Sequence, residues 1–313
     1  MRAQAHMLRV AICITTHNRR VELERTLAHV AALDPQPDEL LLVADGCTDG
    51  TAAWVRANHP RARLFEHTPG RGSVPSRNVM GRATDCEIFL SLDDDSHPIE
   101  ADAIARIRSV FEKNEQLAVA EFPQRTDERP QSLGQGSFGP AQFIGSYANS
   151  GAAIRRAAFI ALGGYEDRFV HAYEEPDFAL RCCAAGWQVR FEPVIHIRHH
   201  FTAVQRDECR THHRHARNEF WSVVLHCPLP AMPIVAAFRA CRQFGYALKR
   251  GWALREPQWW RQALHGIAAC LRNRAPLPWA QYKAWMRLVR SPHDDSGKWN
   301  RDFGTSHPAH STT

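Results

Sequence analysis

Between residues 8 and 122 the chain alternates short apolar runs with segments of helical periodicity, a pattern that calls for a mostly parallel sheet covered on both faces. Runs 8–14, 39–43, 63–66, 87–92 and 117–122 read as strands. Segments 21–33, 74–83 and 101–113 read as helices. Another helix starts near Thr48-Asp49-Gly50-Thr51, with Asp49 or Thr51 as its cap. The rhythm breaks at 123–150, rich in Gly, Pro, Gln and Ser, which reads as a long loop with short strands. It resumes with a strand at 151–155, helices at 156–162 and 176–185, and strand-like runs at 187–191 and 194–197.

One apolar run, Ile88-Phe89-Leu90-Ser91-Leu92, ends in Asp93-Asp94-Asp95. Adjacent carboxylates repel, so a fold keeps them where a cation, hydrogen-bond donors or water compensate. The carboxyl end of a strand is also where open α/β sheets bind ligands. Together these suggest a divalent metal holding a phosphorylated substrate. Taken alone, the run fits a solvated acidic turn equally well.

Charge divides the chain. The net charge of +6 combines a body, residues 1–200, with more acidic than basic residues, and a strongly basic remainder. Seven of the nine tryptophans also follow residue 200. The nine cysteines are scattered, with no Cys-x-x-Cys pair, and read as reduced thiols of a cytoplasmic protein. No secretory signal is visible, and no stretch approaches the roughly 20 apolar residues that span a bilayer.

Three strand ends converge in such a sheet: Thr15-Thr16-His17-Asn18-Arg19-Arg20, Asp45-Gly46-Cys47-Thr48-Asp49-Gly50-Thr51, and Asp93-Asp94-Asp95. Each is weak alone, and Asp45-Gly46 is simply a turn on the plainest reading. In order, they place polar groups for a base, a ribose and a diphosphate in one crevice. Further marks are Ser76-Arg77-Asn78, Gly163-Gly164-Tyr165-Glu166-Asp167, and Glu174-Glu175-Pro176-Asp177 followed by Arg181 and Gly186.

With these motifs, residues 8–202 resemble the inverting family 2 glycosyltransferases of the GT-A fold, a Rossmann-like nucleotide-diphospho-sugar transferase architecture. The resemblance implies a GT-A catalytic domain over 7–202. It also implies metal-dependent transfer of a hexose or deoxyhexose, with inversion, from a UDP-, TDP- or GDP-sugar to a hydroxyl of a saccharide or lipid-linked acceptor. Polysaccharide, lipopolysaccharide or another glycoconjugate is the product class implied. Thr15 and Asp45 would hold the nucleobase, Asp93 would approach the ribose, and Asp94 would also take part in donor binding. Arg77, together with Arg19 and Arg71, would offset phosphate charge. Asp93, Asp95 and His199 would bind Mn2+ or Mg2+, with His196 and His200 as rival histidines. Glu175 would be the base that deprotonates the acceptor, in competition with Glu174 and Asp177, and its place at a helix start would favour its ionised form. The sequence departs from the pattern at Ala44, at Cys47, which reads as a small buried thiol, and at His17, where relatives often carry tyrosine.

Residues 203–290 read as a basic, Trp-rich helical region and 291–313 as a disordered tail. On a helix, Ile234, Phe238, Cys241, Phe244, Leu248 and Trp252 share one side, with Arg239, Arg242, Lys249 and Arg250 beside them. Such a face suits peripheral attachment to an anionic bilayer, here the cytoplasmic face of the inner membrane, or packing on the catalytic domain or a second subunit. The cluster His212-His213-His215 reads as an exposed helix face.

Two other classes are weighed. A sugar-phosphate nucleotidyltransferase would carry a Gly-rich loop with lysine, and 15–20 has neither. A non-catalytic basic protein binding nucleic acid explains the charge but not the three strand ends, so no nucleic-acid partner is expected.

Overall fold

The computed structural model describes residues 7–200 and 207–304. Its main sheet has eight strands in the order β3-β2-β1-β4-β9-β6-β10-β8. These are β1 Val10–Thr16, β2 Glu39–Asp45, β3 Arg63–His67, β4 Ile88–Asp93, β6 Leu117–Glu121, β8 Gln142–Phe143, β9 Ala152–Arg155 and β10 Gln188–Phe191. The first four in space pair in parallel, as do β6 and β10, whereas β9 runs antiparallel to both β4 and β6. The carboxyl ends of β1, β2, β4, β6 and β10 therefore share one edge. A small second sheet caps that edge, with β11 Ile197–His199 between β5 Ser96–Pro98 and β7 Gln124–Thr126.

The strands are apolar throughout because both faces are covered. Val10, Ile12 and Ile14 point one way, against Leu23 and Leu27 of α1 (Arg20–Ala31) and Ile104, Ile107 and Phe111 of α4 (Ala103–Glu112). Ala11, Cys13, Leu41 and Val43 point the other way, in one core with Val74 and Met80 of α3 (Ser73–Ala83), Phe159 of α5 (Arg156–Ala161) and Phe178 of α6 (Glu174–Ala184). The short helix α2 (Thr51–Asn58) lies at the β3 margin.

The remaining helices are α7 Glu208–His226, α8 Ala231–Lys249, α9 Gln258–His265, α10 Ile267–Arg272, α11 Trp279–Arg290 and α12 Ser296–Phe303. They extend the second core rather than standing apart from it. Trp285 is buried and donates its indole N–H to the carbonyl of Gly145 at 2.8 Å. Residues 291–304 are not the disordered tail expected from their polarity. His293 pairs with Phe143 through the backbone, and Trp299 of α12, 1% exposed, stacks on the Phe143 ring at 4.6 Å. Two aromatic side chains in an otherwise polar segment are enough to anchor it, and composition alone hides that. Residues 305–313 lie outside the described residues. No helix among the described residues is long and apolar enough to cross a membrane.

Helix α8 shows an inverted amphipathicity. It packs inward through Ala236, Gln243 and Ala247 and exposes Ile234, Phe238, Cys241, Phe244 and Leu248. The three-histidine cluster of α7 is not an exposed face. His213 is fully buried, its Nε2 against the carbonyl of Trp252 at 3.0 Å, because α7 packs against both α8 and α9.

Candidate active site

The first strand ends are built around Asp45. Its carboxylate accepts from the backbone N–H groups of Arg71 at 2.7 Å and Gly72 at 2.8 Å, and lies 2.9 Å from His67 Nδ1. The turn after it needs glycine: Gly46 has φ +67°, and a Cβ there would sit 2.8 Å from the nitrogen of Gly70. His17 is exposed and reaches the Asp45 carbonyl with Nδ1 at 2.5 Å. Thr15 lies in register with Val43 on one side and Asp93 on the other, at the same edge. Arg71 is exposed and meets Asp45 through its backbone.

The three aspartates take different surroundings. Asp94 turns inward and pairs with Arg19 at 2.9 Å. Burial pushes its carboxyl up to about 7, with Arg19 opposing and Asp95 reinforcing the shift. Asp95 is fully buried, and burial alone would raise it; His199 at 3.2 Å and Arg19 at 2.5 Å instead hold it well below the usual carboxylate range. Asp93 keeps about a third of its side chain exposed and meets Arg77 at 2.5 Å. Arg77 also binds Glu174 at 2.9 Å. Burial opposes its charge, but the two carboxylates hold its pKa above the ordinary arginine value. Both arginines are thus engaged by acids of the site.

Asp93, Asp95 and His199 each offer one ligand atom, and these atoms lie within 4.8 Å of one another. This set of carboxylate oxygens and an imidazole nitrogen fits a divalent cation such as Mn2+ or Mg2+. The surrounding bonds fit as well. Gln124 Oε1 accepts from His199 Nδ1 at 3.3 Å, which turns Nε2 toward Asp95. The rival histidines are engaged elsewhere: His196 lies 2.6 Å from Glu100, and His200 Nε2 lies 3.2 Å from His97 Nε2.

The acidic helix start opens on a cavity of about 240 Å³ lined by Arg77, Asp93, Asn149, His171, Glu175 and His215, among others. Of the three acids, Glu174 is spent on Arg77 and Asn149. Asp177 is buried among Arg181, Ser222 and His226, which outweigh burial and hold its carboxyl well below the usual range. Glu175 remains half-buried in the cavity, its nearest donor the Asn149 N–H at 3.4 Å. The helix start does not favour its ionised form, as position alone suggests. Burial and the charge of Glu174 push its carboxyl up to about 8, against the opposing pull of Arg77. Burial pushes the pKa of His171 and His215 down from the ordinary histidine value, which favours their neutral forms.

The loop presenting Glu174 and Glu175 is strained. Val170, Ala172 and Tyr173 all have φ between +64° and +70°. One side chain of α7 holds it: Asn218 Nδ2 lies 3.0, 2.9 and 2.7 Å from the carbonyls of Phe169, His171 and Ala172. Arg217 adds a bond to Phe169 at 3.0 Å. Motif spacing points to none of Asn218, Gln124, Asn149 and His171, and it marks His215 only as part of a cluster that reads as an exposed helix face, whereas the residue lines the cavity. Their roles depend on contacts between segments far apart in the chain, which no local pattern marks.

Residues 11–162 match the model of the family described as Glycosyl transferase family 2. Curated protein sequences provide no match. Among solved structures, a mannosyltransferase from Pyrobaculum calidifontis in complex with GDP-Man and Mn2+ superposes with a TM-score of 0.55 at 19% identity, over 86% of this chain and 88% of that one. The 1–349 segment of S. aureus TarS in complex with UDP-GlcNAc gives 0.56 at 13%, over 95% and 89%. GalNAc-T7 with UDP, GalNAc and Mn2+ gives 0.57 at 13%, over 72% of this chain but only 49% of its own length. At such identities the superpositions speak for the fold, and the family match speaks for the strand-end motifs it spans. Over residues 11–162 this chain is similar to glycosyl transferase family 2, and its fold is GT-A.

Proposed function

We propose that this glycosyltransferase moves a hexose or deoxyhexose, with inversion, from a UDP-, TDP- or GDP-sugar to a hydroxyl of a saccharide or lipid-linked acceptor, in polysaccharide, lipopolysaccharide or glycoconjugate synthesis. The observation carrying the proposal is the placement of Glu175, half-buried, in a cavity whose wall includes the metal-site residue Asp93. Asp93, Asp95 and His199 would hold Mn2+ or Mg2+, which when bound neutralises charge on the leaving diphosphate. Thr15, His17 and Asp45 would seat the base at the neighbouring strand ends, where a carboxylate can accept a ring N–H of uracil, thymine or guanine. Arg19 and Arg77 would keep the acidic cluster tolerable beside a diphosphate by pairing with Asp94, Asp95 and Asp93.

Glu175 would take the acceptor's proton at its carboxylate as the hydroxyl attacks the anomeric carbon. Glu174 and Asp177 are less suited, since both are already paired. A base must be ionised to work, so a pKa raised to about 8 makes the rate climb with pH through that value and level off above it. A kcat/KM profile falling across pH 7–9 would remove Glu175 from the role. The general test is a screen of nucleotide sugars with Mn2+ or Mg2+, reading release of nucleoside diphosphate. Turnover of a UDP-, TDP- or GDP-sugar is expected, and release of pyrophosphate from a sugar phosphate and a nucleoside triphosphate would favour a nucleotidyltransferase.

The outward apolar face of α8, with Arg242, Lys249 and Arg250 exposed beside it, supports peripheral binding to the cytoplasmic face of the inner membrane, where a lipid-linked acceptor is met. The full chain should float with vesicles rich in anionic lipid at moderate salt, and Phe238→Glu together with Leu248→Glu should leave it at the bottom of the gradient. Absence of wild-type flotation would dismiss the membrane role.

A further inference from the structure

Beyond β9 the same sheet edge carries a second, larger cavity that the chemistry above does not use. It measures about 390 Å³ and lies between the ends of β6 and β10 and the segment 122–138. Small-molecule sites commonly span about 300–1,000 Å³. Its wall includes Glu121, Gln124, Arg129, Gln131, Gln135 and Phe138.

Its position ties it to the reaction centre. Ala148 lines both this cavity and that of Glu175. Gln124 spans the partition: its Oε1 holds His199, and its Nε2 donates to Ser150 Oγ at 2.7 Å, with Ser150 lining the Glu175 cavity. A molecule presenting a hydroxyl to Glu175 could therefore continue over Ala148 into this space.

Its chemistry is that of a sugar site. Phe138 is half-buried, with its ring 5.4 Å from the Arg125 guanidinium and 5.4 Å from the His196 ring. Arg125 is itself pinned by the carbonyls of Ser132 and Leu133 at 3.1 and 2.9 Å, so the platform sits on a tied-down turn. Such a ring offers an apolar face to the C–H side of a pyranose. With Gln124 taken up by His199 and Ser150, the exposed amide of Gln131 supplies a donor and an acceptor for hydroxyls, and Gln135, whose Nε2 donates to the Ser137 carbonyl at 2.6 Å, adds its carbonyl oxygen. Glu121 accepts from the Ala148 N–H, and burial pushes its carboxyl up to about 7 against the pull of Arg129. A carboxyl in the wall and a single arginine disfavour a second diphosphate, and the density of amides disfavours a lipid tail.

We propose that this cavity is an acceptor subsite, holding an uncharged pyranose unit of the acceptor next to the one that carries the attacking hydroxyl. The proposal rests on the transferase reading, and its test separates the two. Saturation-transfer NMR on the full chain would use methyl glycosides of glucose, galactose, mannose and N-acetylglucosamine, each with and without UDP and Mn2+. At least one glycoside should receive saturation, and Phe138→Ala should weaken that binding roughly tenfold or more while UDP binding stays unchanged. Glu121→Gln, which keeps the size and the hydrogen-bonding capacity, should retain glycoside binding, whereas Glu121→Leu should lose it. Saturation of none of the four glycosides, or transfer unaffected by Phe138→Ala and Glu121→Leu, overturns the subsite. Failure of UDP, TDP and GDP to bind with Mn2+ overturns instead the transferase reading and with it the acceptor role, a result read independently of the glycosides.

Discussion

Asp95→Ala should lower sugar-transfer turnover by about 10³-fold or more, because a cation at a leaving diphosphate contributes several kcal/mol of charge stabilisation. The reason lies in burial. Asp95 is fully enclosed and held ionised by Arg19 and His199, so it presents a full negative charge where a metal needs it. Removing it leaves Arg19 with Asp94 alone. Part of the loss in the alanine variant could therefore reflect local rearrangement, and Asp95→Asn controls for that by keeping the shape and a hydrogen-bonding oxygen. Titration of Mn2+ followed by electron paramagnetic resonance should show both variants failing to bind the ion tightly, while far-ultraviolet circular dichroism of Asp95→Asn matches that of the parent. Near-normal turnover or metal binding in Asp95→Asn would remove Asp95 from the metal site.

Glu175→Gln should lower kcat by about 10²–10⁴-fold, the usual contribution of a positioned general base, while leaving nucleotide binding intact. Glutamine keeps the length of the side chain and the carbonyl oxygen that meets the Asn149 N–H. The same substitution at Glu174 should behave differently. There it removes one of the two carboxylates of a buried arginine, so lost stability and weaker donor binding are expected together. Equal loss of kcat in Glu174→Gln, with unaltered melting and donor binding, would transfer the base role to Glu174.

Much of this arrangement is legible in the chain before folding. Parallel strands buried on both faces must be apolar, so Val10–Thr16, Glu39–Asp45 and Ile88–Asp93 announce themselves, and the polar residues at their ends fall on one edge. The antiparallel insertion of Ala152–Arg155 between β4 and β6 is not legible, since direction leaves no mark on four residues. Charge pairing is also hidden. Arg19 and Arg77 invite reading as phosphate ligands, yet each is bound to two acids in the fold. Glu175 shows the same limit for acidity, because its helix position argues one way and its burial beside Glu174 prevails. The clamp of Asn218 on the 169–172 carbonyls joins α7 to the acidic loop, and it lies outside the residues that the family model spans.

In the proposed mechanism Asp93, Asp95 and His199 act together on one ion that anchors a nucleoside diphosphate. Calorimetry of UDP, TDP and GDP against the full chain, with Mn2+ and after its removal by chelation, reads that dependence on the ion. One of the three should bind with Mn2+ present and at least roughly tenfold more weakly without it. Equal affinity in both conditions, or no binding by any of the three, would mean that no ion held by Asp93, Asp95 and His199 anchors the nucleotide.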